Sequence, residues 1–178
     1  LKDRRGNLTL TNINGLCRIA LDKLKKTYEQ DIQEKNIRII FDNLTLSLMM
    51  EVNVEQFSKV LAGILKNSMY ALLKKSETVT FSPEIFLGLK VNKDMLEITI
   101  RDNGSGIDEN IKDKIFAPFF TTKTTGEAAG VGLYLCREIV QNHRGTIEVE
   151  SKKGEYTQFL ITIPVYQPKT ITPPKEEE

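Results

Sequence analysis

Tryptophan is absent from this chain and histidine occurs once, as His143. One imidazole excludes a multi-histidine metal site, and it excludes a Ser/His/Asp triad unless His143 is its base. The two cysteines, Cys17 and Cys136, stand far apart and lack metal-ligand spacing. They read as reduced core residues of a cytosolic compartment. No apolar run approaches the roughly 20 residues of a membrane span, and no signal peptide opens the chain. The segment is therefore expected not to insert into a membrane, any anchor of a longer protein lying outside it. An excess of one charge is missing too: 25 Lys and Arg face 24 Asp and Glu, which removes the electrostatic footprint of a nucleic-acid binder. There is no internal repeat, no Walker lysine motif and no Gly-x-Gly-x-x-Gly following a strand.

What is present suffices for one domain of 178 residues, 40% of them hydrophobic. Residues 1–11 read as a lead-in linker, 12–166 as the folded domain, and 167–178, with Pro173-Pro174 and three closing glutamates, as a disordered tail. The chain is organised around Asp102-Asn103-Gly104-Ser105-Gly106. In the preceding strand, Leu96, Ile98 and Ile100 alternate with polar residues, and the same parity carries Asp102 inward. The glycines allow a sharp turn and a close backbone approach. A carboxylate at the mouth of a covered sheet, beside bare backbone, suits hydrogen bonding to an amino group on a flat ligand. Alone, the same residues more readily describe a strand ending in an Asn-Gly turn.

Apolar spacing predicts a helix from Asn12 or Thr11, as N-cap, to about Gln33, and a stronger one over 54–75. In the second, Phe57, Val60, Leu61, Ile64, Leu65, Ser68 and Leu72 form the apolar face, with Asn67 at its border and Gly63 one turn earlier. An Asn inside a helix costs stability relative to Ala, so a border Asn invites a role in a cleft. Strands are predicted over 37–41, 84–91, 95–101, 146–151 and 157–163, with a short extended piece at 46–52. A short helix capped by Asp108 is expected to run to Ile115. Thr124 to Ala129, small and polar between structured elements, reads as a lid. Gly130-Val131-Gly132-Leu133 opens a further helix to about Asn142, and glycines there free N–H groups for an anion or allow close packing.

Taken in order, four stretches resemble the ATP-binding catalytic domain of sensor histidine kinases, whose nucleotide fold is shared with gyrase, MutL and a class of heat-shock chaperones. Gln56 to Leu72 is similar to the N box, Asp102 to Gly106 to the G1 box, Phe116-Ala117-Pro118-Phe119-Phe120 to the F box, and Gly130 to Leu133 to the G2 box. The Phe-Phe-Thr-Thr-Lys run with a short lid is most similar to the nitrogen-regulation and dicarboxylate-sensing branch. The resemblance implies an α/β (α+β) two-layer sandwich: a mixed, mainly antiparallel sheet of about five strands, covered on one face by three main helices. It implies ATP and Mg²⁺ as cofactors, with Asp102 accepting the adenine amino group and Gly104 and Gly106 making room for the ring. Asn67 would hold the metal, Gly130 and Gly132 would present N–H groups to the phosphates, and Lys123 or Lys66 would be the cation. Tyr70, Ile107, Phe120, Thr121, Thr122, Val131, Leu133 and Thr157 complete the implied nucleotide site. Asn67 and Lys123 are the residues to which the resemblance assigns catalysis.

The implied reaction transfers the γ-phosphoryl to a histidine on a separate dimerisation hairpin, absent from this chain, and feeds a response-regulator receiver domain. His143 does not match that acceptor; it falls where the family has a His-Gly pair, followed here by Arg144. Two departures bear on activity: Gly63 stands where such kinases carry a second Asn, and Ala128 where G2 has its first glycine. They leave a degenerate, non-catalytic ATP-binding module as the alternative. Gly63 also cannot supply the water-activating glutamate of the gyrase and chaperone branches, which argues against an autonomous ATPase.

Overall fold

Period-two alternation builds the sheet on which the site rests. The computed structural model describes residues 3–120 and 132–167. Its strands are β1 (Thr9–Asn12), β2 (Arg38–Asp42), β3 (Met49–Val52), β4 (Glu84–Asn92), β5 (Met95–Asp102), β6 (Thr146–Lys152) and β7 (Tyr156–Pro164). The helices are α1 (Ile13–Thr27), α2 (Glu29–Lys35), α3 (Val54–Ser76) and α4 (Leu133–Asn142). Five strands form one sheet in the order β2-β4-β5-β7-β6; β2 lies parallel to β4 and the other pairs are antiparallel. Leu96, Ile98 and Ile100 of β5 and Phe159, Ile161 and Ile163 of β7 are buried, while Arg101 between them is exposed. Against that face α3 packs on β4 and β5, α4 packs on β6, and α1 packs on α3. This is the expected two-layer sandwich, with α1, α3 and α4 as its main helices.

Three local features differ from the sequence reading, each for a physical reason. The long first helix breaks at Tyr28, which leaves helical dihedrals at φ −110 and ψ 25. Thr27 turns its hydroxyl back onto the Lys23 carbonyl at 2.9 Å, and α2 has no fully buried residue, only Ile32 packing partly against the core, so little burial holds the second piece in line with the first. The short helix expected after Asp108 is only a 3-10 turn at Lys112–Lys114, because Asp108 accepts the Asn110 N–H at 3.0 Å and forms its own local turn. The end of the lead-in joins Asn12 in strand β1 (Thr9–Asn12), paired antiparallel with β3. Four residues carry too little alternation to show a strand whose partner lies some forty positions away.

A buried polar knot joins both ends of the described chain to the helices. Asn53 caps α3 by accepting the Gln56 N–H at 3.0 Å, and its amide donates to the Arg5 carbonyl at 2.6 Å. The Asn53 backbone N–H donates to His143 Nε2 at 3.2 Å, which leaves Nδ1 to carry the proton and donate to the Ile139 carbonyl at 2.8 Å. Gln167, the first residue of the expected tail, is buried and reaches the Arg5 guanidinium and the His143 carbonyl. Phe57 meets the imidazole edge-on at 4.9 Å.

Burial holds the His143 pKa below its usual value, a backbone hydrogen bond only partly opposing it. The sign follows: the unfolded chain binds the proton more readily, so the neutral ring stabilises the fold above the unfolded pKa and that stability is lost as pH falls through the folded one. His143→Ala is expected to cost about 2–4 kcal/mol near pH 7.5, from a cavity and the Asn53 N–H left without its partner, the Ile139 carbonyl still accepting the backbone N–H of residue 143. The gap to the wild type should narrow towards pH 5. Urea titrations at the two pH values test this, and an equal gap at both would show that the imidazole does not act as a neutral hydrogen-bonding strut.

Candidate functional site

Asp102 ends β5 on the helix-covered face and is 2% exposed. Its Oδ1 accepts the Gly104 N–H at 2.9 Å. Burial pushes its carboxyl up to about 7, against the lowering pull of that N–H, the Ser68 hydroxyl, and the Lys75 and Arg101 charges. Among the described residues Ser68 Oγ is itself buried without a hydrogen-bond partner, so it acts on the carboxyl by proximity and not through a formed bond. A strongly desolvated carboxyl of raised pKa, beside a buried hydroxyl with no hydrogen bond of its own among the described residues, marks a candidate functional site.

The turn after Asp102 is gripped from three sides. Along α3, Ser68, Ala71 and Lys75 fall on one row: the Ser105 N–H donates to the Ala71 carbonyl at 3.2 Å, and Lys75 Nζ to the Asn103 carbonyl at 3.0 Å. At the mouth of β4, Asn103 accepts the Glu84 N–H at 2.7 Å and donates to the Ser82 carbonyl at 2.8 Å. From the β6–β7 hairpin, the Gly154 N–H donates to the Ser105 carbonyl at 2.6 Å, and Ser151 Oγ accepts the Ile107 N–H at 2.8 Å. The two glycines make this grip possible. A Cβ on Gly104 would lie 2.6 Å from the Ala71 carbonyl carbon, and one on Gly106, at φ +67, would lie 2.3 Å from the Lys152 carbonyl oxygen. The space each leaves is thus filled by protein backbone, and what the glycines give the site is the shape of its floor.

Several sequence-selected residues gather on this floor. Thr157 is buried directly across from Asp102 in the β5–β7 pairing. Ile107, Phe120 and Leu133 are half-buried against the core. Asn67 is half-buried on α3, one turn before Ala71, and its carboxamide makes no hydrogen bond among the described residues. Lys66 and Tyr70 flank it on the same helix, also half-buried. Among the described residues nothing lies within 4 Å of a Cβ built on Gly132, the N-cap of α4, and no side chain caps the first N–H groups of that helix. Thr121, Thr122, Lys123, Gly130 and Val131 lie outside the described residues, as does the expected lid of Thr124 to Ala129.

Sequence reasoning passed over Ser68, Asn103 and Ser151. Ser68 was visible as the one polar residue on the apolar face of its helix, and Asn103 lies within the central motif itself. Ser151 carried no signal, because its partners become neighbours only when β6 folds back along β7. Chemically, the floor offers hydrogen-bond acceptors to an amino-bearing flat group at one end. The uncapped start of α4 offers N–H groups and a positive dipole end to an anion.

The sequence profile of the family described as "Histidine kinase-, DNA gyrase B-, and HSP90-like ATPase" matches residues 53–167. The chain is 35% identical over 149 residues to cyanobacterial phytochrome A of Nostoc sp., a match covering 82% of this chain and 18% of that protein. It is 35% identical over 151 residues to a probable C4-dicarboxylate sensor kinase of Halalkalibacterium halodurans, covering 85% and 27%. The chain spans less than a third of the length of these curated relatives. Among solved structures, the nucleotide-free catalytic domain of the histidine kinase ThkA superposes with a TM-score of 0.73 at 28% identity, covering 90% of this chain and 97% of that one. ThkA in complex with the response regulator protein TrrA superposes with a TM-score of 0.64 at 25% identity, covering 88% and 41%.

Proposed function

The chain belongs to the histidine kinase-, DNA gyrase B- and HSP90-like ATPase family, and from that premise we propose that it binds ATP with Mg²⁺ and passes the γ-phosphoryl to a histidine on a separate helical hairpin. The observation that carries the reading is the buried Asp102 carboxyl at the end of β5, an acceptor facing the helix-covered side beside the Ser68 hydroxyl, which suits the adenine amino group. Thr157 joins Asp102 as an acceptor, while Tyr70, Ile107 and Phe120 supply apolar surface around the ring. The phosphates take the N–H groups at the start of α4, with Lys66 as a cation on α3. Lys123, Thr121, Thr122, Gly130 and Val131 enter this site by resemblance alone.

The donor set fits Mg²⁺. Among the described residues no cluster of three or more His, Cys, Asp or Glu side chains could hold a metal, and Asn67 offers a single unengaged amide oxygen. Mg²⁺ is commonly held by one or two protein oxygens, with water and substrate phosphates completing its shell. When bound there, it neutralises charge on the phosphates. This chain's own residues then do the rest: they fix the base, align the phosphate chain and exclude competing geometries, which is most of what phosphoryl transfer requires. In the transfer the terminal P–O bond of ATP breaks, ADP keeps the bridging oxygen, and a P–N bond forms on the acceptor imidazole as its ring proton leaves. Gly63, buried one turn before Asn67, offers no carboxylate to activate water, so transfer and not free hydrolysis is the activity proposed. The phosphohistidine then serves a response-regulator receiver domain, and this segment works in the cytoplasm.

The test is incubation of the chain with γ-labelled ATP, Mg²⁺ and an added helical hairpin bearing a histidine from a similar sensor kinase. Acid-labile label on the hairpin supports the reading; folded protein that binds ATP yet never labels any hairpin points to the non-catalytic module. Asn67→Ala is expected to reduce the Mg²⁺-dependent gain in ATP affinity by about tenfold or more, with metal-free binding little changed. Equal losses with and without Mg²⁺ would remove Asn67 from the metal.

A further inference from the structure

Ser151 lies on β6, behind the base end of the site, and its hydroxyl meets three polar groups. It is 2.8 Å from the Ile107 N–H, 2.7 Å from the Tyr156 carbonyl and 3.1 Å from Thr157 Oγ1. A hydroxyl has one proton and two lone pairs. The Tyr156 carbonyl can only accept, so it takes the Ser151 proton. The Ile107 N–H can only donate, so it takes one lone pair. The remaining contact can be made in one sense only, with Thr157 donating its proton to the second lone pair of Ser151. The hydroxyl of Thr157 is thereby oriented: its proton points back to Ser151, and only lone pairs are left for a ligand. Thr157 and Asp102 are direct cross-strand partners on one face, 5% and 2% exposed, and direct partners place their side chains about 5 Å apart.

We propose that Ser151 is a specificity-determining positioning residue of the nucleotide site. By holding the Thr157 proton away from the base, it leaves Thr157 and Asp102 as two adjacent acceptors, which select a 6-aminopurine over a 6-oxopurine. This rests on the nucleotide reading above. An exocyclic amino group brings two N–H donors to such a pair, directly or through water. A 6-oxo group brings only lone pairs and leaves the neighbouring N1–H as the one donor, so two facing acceptors cannot both be paired. The same hydroxyl fixes the Ile107 amide, so it sets the position of the binding turn and the polarity of its partner together.

The experiment measures Mg²⁺-dependent binding of ATP and of inosine 5′-triphosphate, which carries a carbonyl in place of the 6-amino group. It is done at pH 8, above the value of about 7 at which the Asp102 carboxyl ionises. Wild type is expected to prefer ATP. Ser151→Ala frees the Thr157 hydroxyl to turn and donate, so ATP affinity should fall about tenfold while that for the inosine nucleotide holds or rises. Ser151→Thr, which keeps a hydroxyl, should restore the preference. Thr157→Val gives an independent arm that does not depend on Ser151→Ala folding: it should weaken ATP and spare the inosine nucleotide. Equal changes for both nucleotides in either variant, or none, overturn the assignment while ATP binding stands. Wild type that binds neither nucleotide brings down the nucleotide reading itself.

Discussion

Replacing Asp102 with Asn is expected to abolish measurable ATP binding and, in the same protein, to raise the melting temperature at pH 8. The two effects share one cause. The carboxyl is 2% exposed, and burial pushes its pKa up to about 7. Between the unfolded value of 3.8 and about 7 the folded chain holds a proton that the unfolded chain has released. Stability therefore declines as pH rises through that window, and above it the ionised group is a constant burden. Taken at face value the shift corresponds to at most about 4 kcal/mol. An Asn keeps an oxygen for the Gly104 N–H and carries no charge, so it removes that burden. Towards a ligand, its NH₂ can present donors where the carboxylate presents acceptors only, and the loss in ATP affinity should reach about a hundredfold or more. The stability difference should shrink as pH approaches 4. A variant that melts below the wild type at pH 8 would mean that the folded chain stabilises the carboxylate, and the site would need a different account.

Gly106→Ala should be among the most damaging single-methyl changes to the fold. The residue sits at φ +67, and the added Cβ would come within 2.3 Å of the Lys152 carbonyl oxygen, which is backbone and cannot swing aside. The left-handed backbone costs an alanine about 1–2 kcal/mol, and forced overpacking typically adds about 1–3 kcal/mol, for a total of roughly 2–5 kcal/mol. The hairpin must move off the turn to relieve the clash. That breaks the Gly154 N–H bond to Ser105, and amide exchange at Gly154 should speed up markedly. Gly132→Ala is the natural control, since a Cβ there meets no atom of the described residues within 4 Å. Both variants melting alike would contradict the picture of a turn clamped between α3 and the hairpin.

How far the sequence led can be judged from these residues. Asp102 was placed correctly because parity along β5 is local information: Leu96, Ile98 and Ile100 set the face, and the carboxylate inherits it. The strands of the main sheet and the span of α3 were legible for the same reason, since each carries its own period. The break at Tyr28 was not, because the residues of α2 continue the helical spacing while none of them is fully buried. The glycines were picked out as permissive backbone, yet what presses against them comes from Ala71 and Lys152, thirty to fifty positions away. Ser151 was invisible, as its three partners share no local pattern with it. Residue types at the site could be read from the chain; what holds them in place is tertiary.

The most direct test of the central claim is calorimetric titration of ATP into the unmodified chain, with and without Mg²⁺. The account predicts saturable one-to-one binding that Mg²⁺ strengthens and that Asp102→Asn removes. A folded chain that shows no ATP binding in either condition would contradict it.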